Sequence, residues 1–294
     1  MASRQYIPHR GYWREVREPE RRDMTVCIAA VCEENTPDAK IILATDTKVS
    51  GALGSSETML KNRFLSPSWR CLTSGSDTDI IATVALLKKH FRKAAVDETN
   101  VVHVIRTALN ERKSEKANEL IQGKYAISYT EFLATGRSRL PDDLFRAATT
   151  EVELIRINAD FIIVGHDSSK SALLVEANGR CEVAIKEDFV AIGEGGYLAQ
   201  ASLLNRSHSY VDAFAETLYA VYEAKRFAEG APSVGRNTQL NVLHSNGLYE
   251  IVQLSGMTFL ASQYEQLSRR KIPTLKIEPN FLIDLTKWKP PNET

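Results

Sequence analysis

Met24-Thr25-Val26-Cys27-Ile28-Ala29-Ala30-Val31-Cys32 is the stretch from which the interpretation of this chain begins. A threonine opens an apolar, β-prone run after 24 residues that do not resemble a strand. If the chain is cut, or begins, just before Thr25, that residue carries a hydroxyl nucleophile and a free amine on adjacent carbons, and the amine can act as base for the hydroxyl. The simpler alternative is that Thr25 is an ordinary first residue of a buried strand.

Length and charge restrict the class of protein. The 294 residues are 43% hydrophobic and 25% charged, as in a globular protein with one large domain or two modest ones. Lysine and arginine together number 37, as do aspartate and glutamate. A formal net charge of zero argues against a dominant surface for nucleic acid or anionic membranes. We therefore predict neither nucleic acid nor membrane as a partner.

Cysteines, histidines and the leader bear on cofactors and compartment. The four cysteines form no C-x-x-C pair, which favours reduced thiols over a disulfide framework or a zinc site. The histidines show no metal spacing, and Gly193-Glu194-Gly195-Gly196 lacks the full dinucleotide fingerprint, so we expect no metal and no cofactor. No apolar run reaches the roughly 18 residues that span a bilayer, and residues 1–23 lack the apolar centre of a secretory signal. The sequence predicts a cytoplasmic protein.

The first half of the chain is predicted to pass from strands to helices. Strands are expected at residues 25–32, 40–45 and 69–73. Ser74-Gly75-Ser76-Asp77 is predicted to cap a helix. The inward face of that helix is predicted from a helical spacing of apolar residues, namely Ile80, Val84, Leu87 and Phe91.

A second helix and an irregular stretch are predicted next. The helix begins at about residue 101 and ends in the charged run Glu111-Arg112-Lys113-Ser114-Glu115-Lys116, interpreted as a solvated face. Residues 122–150 contain Gly136 and Pro141 and are predicted to be irregular. They belong to an insertion around residues 115–155.

The second half repeats the order of strands and then helices. Further strands are predicted near residues 159–165, 172–176, 181–185, 189–192, 238–244 and 248–254. Helices are predicted at 197–205, from about 210 with Val211 and Phe214 inward, and at 257–269. Because strands and helices come in blocks, the pattern favours an α+β fold with antiparallel sheets, and two stacked sheets between helix layers would satisfy it.

Four motifs, in order along the chain, carry a resemblance. Asp46-Thr47-Lys48-Val49-Ser50 resembles an Asp-x-(Arg/Lys)-x-Thr segment, and Thr58-Met59-Leu60-Lys61 resembles a lysine segment. Ser74-Gly75-Ser76-Asp77-Thr78-Asp79 matches a small-residue loop, and residues 191–201 match a glycine-rich loop and its helix. With this order and spacing, the chain from Thr25 to roughly Leu254 resembles proteasome-type subunits of the N-terminal nucleophile (Ntn) hydrolase family. It is similar to proteasome β-subunits and to the ring subunit of the bacterial heat-shock protease.

The resemblance implies a fold, a reaction and an assembly. The fold would be a four-layer αββα sandwich, with residues 1–24 as a leader or propeptide, 25–255 as the Ntn-hydrolase domain and 256–294 as a carboxy-terminal helix and tail. The reaction would be that of a threonine-type endopeptidase, with the freed Thr25 as nucleophile and its own amine as base. The protein would form a homo-oligomer, as a ring or an open spiral, acting on peptide or protein substrates. An unfoldase partner is left open.

The proposed site follows from the weakness of a hydroxyl nucleophile. A free α-amine titrates near pH ~8, close to where a base is most useful. Lys61 near Thr25 would push that amine toward its neutral form and stabilise negative charge on the hydroxyl oxygen. Asp46 would hold Lys61 charged and fixed, because a buried lysine without a partner tends to lose its proton.

Three further site residues are implied by the resemblance. The backbone N–H of Gly75, just before a helix, would donate to the oxyanion. Ser50 would present its backbone to an extended substrate by strand addition. Ser233, in the late loop Pro232-Ser233-Val234-Gly235, keeps a serine at a matching place and completes the catalytic set.

The chain departs from the family at three positions. Glu194 stands where the family usually has a serine, and its charge would either raise the pKa of the amine or provide a second partner for Lys61. Gly230 falls where the family has an aspartate. Met24 replaces the glycine typical of self-cleaved members, so residues 1–24 are either a propeptide or a mis-assigned start, with ordinary methionine removal exposing Thr25.

A catalytically silent subunit with a structural or assembly role is the alternative function. Thr25, Asp46 and Lys61 together argue against it, because a silent subunit has no need of all three. Glu194 and Gly230 argue for it. The mature amino terminus distinguishes the two hypotheses.

Overall fold

The computed structural model describes residues 3–7, 12–16, 25–47, 49–51, 54–56, 61–93 and 95–267. The chain divides into two compact units, Met1–Leu254 and Ser255–Thr294. Every described strand and six of the seven described helices lie in the first unit, and the seventh helix begins at its last residue.

The described strands pair only with antiparallel neighbours. They are β1 Ser3–Ile7, β2 Tyr12–Val16, β3 Cys27–Cys32, β4 Lys40–Asp46, β5 Val49–Gly51, β6 Gly54–Ser56, β7 Asn62–Ser66, β8 Trp69–Gly75, β9 Ala159–His166, β10 Ala172–Ala177, β11 Val183–Lys186, β12 Phe189–Ile192, β13 Thr238–His244 and β14 Tyr249–Ile251. One five-stranded sheet has the order β12-β3-β4-β13-β14, and a second has the order β11-β10-β9-β8-β7. Two further pairs, β1–β2 and β5–β6, are separate hairpins.

Seven helices complete the described part of the chain. They are α1 Asp77–Lys93, α2 Val101–Tyr125, α3 Tyr129–Arg139, α4 Asp142–Glu153, α5 Gly196–Asn205, α6 Phe214–Ala228 and α7 Leu254–Leu267. None of them combines the length and the apolar character that a membrane crossing requires. The protein is thus a mixed α+β protein with two antiparallel sheets, which confirms the predicted fold class at that level.

Strand β9 shows how the apolar cores are divided. Phe161 and Ile163 point into a core shared with α1 and α2, whereas Ile162 and Val164 point into a core shared with the other sheet. This alternation is the period of two that a strand buried on both faces requires. The predicted inward face of α1 is confirmed, since all four of its apolar residues are buried (Ile80, Val84, Leu87 and Phe91). On the first sheet, α5 and α6 contact β12, β3 and β4.

The insertion is helical, and the prediction of an irregular stretch was wrong. Helix α2 continues through the charged run, and α3 and α4 follow it. Ser128 caps α3 by accepting a hydrogen bond from the Glu131 amide at 3.1 Å. Gly136 lies within α3 and does not break it. A Cβ at this position would lie 2.9 Å from the Phe132 ring, so glycine permits the ring to pack closely against the helix. A small core of Ile121, Phe132 and Ala148 then stabilises the three helices.

The charged run is not only a solvated face. Arg112 is buried and donates to Asp79 at 3.1 Å, while Lys116 donates to the other oxygen of the same carboxylate at 2.6 Å. Burial alone would raise the pKa of Asp79, but hydrogen bonds from Lys116, the Asn158 amide and Arg112 outweigh it and lower the pKa. The pairs tie α2 to the start of α1.

Two further predictions were wrong. Part of the leader forms the β1–β2 hairpin, with Tyr6 opposite Trp13, where no regular structure was expected. Helix α6 begins at Phe214 instead of at about residue 210, and Val211 is 52% exposed. The helix is preceded by a short turn, in which the Asp212 amide donates to the Ser209 carbonyl and the Ser209 amide donates to the Asp212 carboxylate, each at 3.0 Å.

His166 makes the fold sensitive to mild acid. Burial lowers the pKa of His166 to about 4, against smaller opposing effects of the Ala39 backbone and the Asp167 carboxylate. The native state therefore keeps the ring neutral while the unfolded chain takes up a proton below pH ~6.5, so stability falls as the pH drops from there to about 4. Between pH 7 and 4.5 we expect His166 to account for a loss of about 2 kcal/mol. The free energy of unfolding in urea is measured at pH 7 and at pH 4.5 for the wild type and for His166→Leu. An equal loss of unfolding free energy in the two proteins would contradict this assignment to His166.

Candidate active site

Thr25 lies at the head of β3, where the hairpin with β4 brings it beside Asp46. The register pairs Cys27 with Thr45, and the Asp46 amide donates to the Val26 carbonyl at 3.3 Å, so the start of β3 meets the end of β4. Thr25 is 2% exposed, and its hydroxyl donates to Asp46 Oδ1 at 2.5 Å. Thr25 and Asp46, two of the predicted site residues, are therefore in direct contact.

Lys61 completes the group. It lies just before β7, where its carbonyl oxygen accepts from the Thr73 amide at 3.0 Å and so fixes the backbone. Its ammonium donates to Asp46 Oδ1 at 2.8 Å and also to the Thr25 hydroxyl oxygen. Lys61 is 5% exposed and Asp46 fully buried, so the ion pair is shielded from water.

Asp46 is the centre of the cluster. Besides Thr25 and Lys61, the Val26 amide donates to Oδ1 at 3.0 Å, and the Gly235 amide donates to Oδ2 at 3.0 Å. An ionised carboxylate only accepts hydrogen bonds, and four donors satisfy it without water. Asp46 therefore holds the Lys61 ammonium, the Thr25 hydroxyl and two backbone amides in one fixed arrangement.

The glycine-rich loop 193–196 packs directly on Thr25. Gly193 has a φ of +87°, and a Cβ there would lie 2.4 Å from the Thr25 carbonyl oxygen, so only glycine fits. The Gly195 amide donates to that same oxygen at 3.3 Å. The loop that the sequence excluded as a nucleotide site thus fixes the backbone of the candidate nucleophile.

A cavity of about 630 Å³ adjoins the cluster at Gly193. Its walls include Ser74-Gly75-Ser76, the segment 156–160, the turn residues 178–180 with Glu182, and Glu194. Gly75 ends β8 with a φ of +123°, and the Ser76 amide donates to the Asn158 carbonyl at 2.7 Å. The predicted oxyanion residue therefore lines a cavity that extends to Gly193, the glycine packed on the Thr25 carbonyl, while Thr25 itself is not part of the cavity wall.

The two remaining predicted site residues, Ser233 and Ser50, lie in different elements of the structure. Ser233 is 1% exposed in the loop whose Gly235 donates to Asp46, and its hydroxyl has no hydrogen-bond partner among the described residues. Ser50 lies in β5 opposite Ser55 of β6, and its side chain is outside the described part.

The three positions at which the chain departs from the family pattern lie in different parts of the sequence. Glu194 is exposed and forms no ion pair with any described residue, and the ion pair of Lys61 is with Asp46. Gly230 is exposed just after α6. Met24 lies outside the described residues.

Two buried residues beside the cluster were missed by sequence reasoning. Cys27 lies close to Lys61 and Asp46, and burial raises the pKa of its thiol to about 12, so it stays protonated and does not compete as a nucleophile. Lys225 of α6 is fully buried and donates to the carbonyl of Gly235 at 2.8 Å. The one available signal for Lys225 was its position on the apolar face of α6, between Ala224 and Ala228.

Comparison with known proteins does not assign a family. No protein-family model matches the chain, and no curated protein matches it at a significant level. Among the described residues, no group of three or more histidine, cysteine, aspartate or glutamate side chains is arranged to hold a metal ion. The function is therefore argued from the geometry of the cluster.

Proposed function

We propose that this protein is a threonine-type amide hydrolase, a peptidase of the Ntn type, with Thr25 as its nucleophile. The observation that carries the proposal is the position of the Thr25 hydroxyl, in contact with both the Lys61 ammonium and the Asp46 carboxylate inside a water-excluded site. A structural threonine at a strand end needs neither contact. An ammonium aimed at a hydroxyl oxygen stabilises the negative charge that develops there during attack.

The reaction begins once the residues before Thr25 are removed and its α-amine is free. The amine takes the hydroxyl proton while Oγ1 bonds to the carbonyl carbon of the substrate amide. The negative charge that moves to the carbonyl oxygen is stabilised by the Gly75 N–H, and Lys61 stabilises Oγ1. The protonated amine next gives its proton to the departing substrate nitrogen, which leaves an ester on Thr25. Water, deprotonated by the same amine, hydrolyses that ester and restores the enzyme.

The arrangement of cores supports an Ntn-type architecture. One face of each five-stranded sheet contributes to the core between the sheets, and the other face contacts helices, α1 and α2 on one sheet and α5 and α6 on the other. We propose that this is the four-layer αββα sandwich. The proposal includes a cytoplasmic homo-oligomer, as a ring or an open spiral, that acts on peptide or protein substrates.

The mature amino terminus and its reactivity test the proposal. Two forms are compared, the full chain and a chain that starts at Met24, from which methionine removal exposes Thr25. A peptide β-lactone, which acylates activated hydroxyls, is added to each, and the intact mass and the modified residue are determined by mass spectrometry. We expect a single adduct on Thr25 in every chain that begins there, and none in a chain with residues 1–24 attached.

Two results would contradict the proposal. A chain that begins at Thr25 but takes up no β-lactone and cleaves no peptide amide is the silent subunit of the alternative hypothesis. An adduct on a residue other than Thr25 would place the nucleophile elsewhere. Denatured protein serves as the control for non-specific acylation.

A further inference from the structure

Lys225 is a buried cation outside the cluster. Its side chain is 0% exposed. Its ammonium donates to Glu229 Oε1 at 2.6 Å, to the Gly235 carbonyl at 2.8 Å and to the Arg236 carbonyl at 3.0 Å. These three acceptors match the three N–H groups of an ammonium. Burying a charge is costly unless it is fully hydrogen-bonded, so the site is built around this lysine.

The loop that Lys225 holds is the one that reaches Asp46. Gly235 accepts from Lys225 through its carbonyl and donates to Asp46 Oδ2 through its amide at 3.0 Å. A single residue thus joins the buried ammonium to the carboxylate that binds both Thr25 and Lys61. Without Lys225, the Gly235 and Arg236 carbonyls and the Glu229 carboxylate would lose their buried hydrogen-bond donor. The loop would then have to shift so that these acceptors could form hydrogen bonds with water.

We propose that Lys225 is a positioning residue for the reaction at Thr25: by fixing the 233–236 loop, it holds the Gly235 amide on Asp46 and keeps Asp46 oriented toward Lys61 and the nucleophile. This inference rests on the proposed function. Within the described part of the chain, Lys225 forms no hydrogen bond with Thr25 or Lys61, and its hydrogen bonds reach the cluster only through the 233–236 loop. Burial lowers the pKa of Lys225, an effect that the nearby carboxylates of Glu229 and Asp46 partly offset.

The test compares Lys225→Met with Lys40→Met, both in the chain that begins at Thr25. Lys40 is a matched control because it is also buried and also holds a loop, donating to Glu33 at 2.5 Å and to the Asp38 carbonyl at 2.8 Å at the opposite end of β4. The rate of peptide-amide hydrolysis is measured at a temperature well below the thermal unfolding transitions of both variants. Exchange of the Gly235 amide hydrogen is followed by NMR in the same samples.

We expect Lys225→Met to lower kcat by about 10- to 100-fold, as for removal of a residue that orients a catalytic group. KM should stay within roughly twofold, because no substrate contact is lost. Exchange of the Gly235 amide should accelerate by about tenfold or more, because its bond to Asp46 opens more often. Lys40→Met should leave kcat, KM and the exchange rate of the Gly235 amide unchanged, although, like Lys225→Met, it lowers the unfolding free energy.

Unchanged exchange at Gly235, or unchanged kcat with faster exchange, would overturn the inference. A wild-type chain with no Thr25-dependent hydrolysis would instead overturn the proposed function, and the exchange measurement would still decide whether Lys225 fixes the loop. If Lys225→Met does not fold, Lys225→Gln, which keeps an amide donor without the charge, is measured in the same way.

Discussion

Thr25→Ala is expected to abolish the hydrolysis of peptide amides and to leave the fold intact. Removing the nucleophile of a hydrolase lowers kcat by about 10⁵-fold or more, because only binding and oxyanion stabilisation remain. The fold should survive, since Lys61 and Asp46 still pair at 2.8 Å and the Gly195 amide still meets the residue-25 carbonyl. The lost hydroxyl bonds should cost about 1 kcal/mol in unfolding free energy. Steady-state rates with a fluorogenic peptide amide and urea unfolding measure both quantities.

Thr25→Ser is the control for this substitution. It keeps the hydroxyl and the amine and removes only a methyl group, so hydrolysis and β-lactone labelling should both persist at a reduced rate. Alanine protein that hydrolyses peptide amides at the wild-type rate, after purification from cells without endogenous proteasome-like enzymes, would refute the assignment of Thr25.

Lys61→Met is expected to reduce kcat by about 10³-fold, the cost of removing one electrostatic group from the reacting centre. It should also lower the unfolding free energy by about 3 kcal/mol, because Asp46 stays buried without the cation that pairs with it at 2.8 Å. A positive charge near the α-amine favours the neutral amine, so its loss raises the pKa of the amine. The acidic limb of the kcat profile should therefore move to higher pH.

The pH profile separates the catalytic role of Lys61 from its structural one. Lys40→Met breaks another buried lysine–carboxylate pair, between Lys40 and Glu33 at 2.5 Å, and should leave the profile unshifted. Rates are measured at a temperature where both variants are fully folded by circular dichroism. A Lys61→Met protein with wild-type kcat, or with an unmoved acidic limb, would show that Lys61 only stabilises the fold.

Local pattern was enough to predict much of the fold and the centre of the site. The spacing of apolar residues from Ile80 to Phe91 predicted the buried face of α1. Strand β12 was predicted with the bounds that it has in the structure. The contact between Thr25 and Asp46 follows from the β3–β4 hairpin, which brings the start of one strand to the end of the next. Lys61 was expected there only from the motif order, and its contact with Thr25 agrees with that expectation.

What escaped prediction depends on contacts between distant parts of the chain. Gly136 and Pro141 are helix breakers in local terms, yet the first permits close packing of Phe132 and the second only separates α3 from α4. Arg112 lies in a run of charges that resembles a solvated face, and Lys225 is a single charge on the apolar face of α6. Their partners, Asp79 and the Gly235 carbonyl, are supplied by other elements that no local pattern identifies.

The bond between the Gly235 amide and Asp46 spans 189 residues of chain. A contact between residues so far apart in the sequence is slow to form, because the entropic cost of closing the loop comes before the contact can offset it. A chain still emerging from the ribosome therefore contains Thr25 and Asp46 long before it contains Gly235, whose amide donates to Asp46. Under the proposed function, the group around Thr25 therefore has all four donors to Asp46 only after residue 235 has been synthesised and the 233–236 loop has folded.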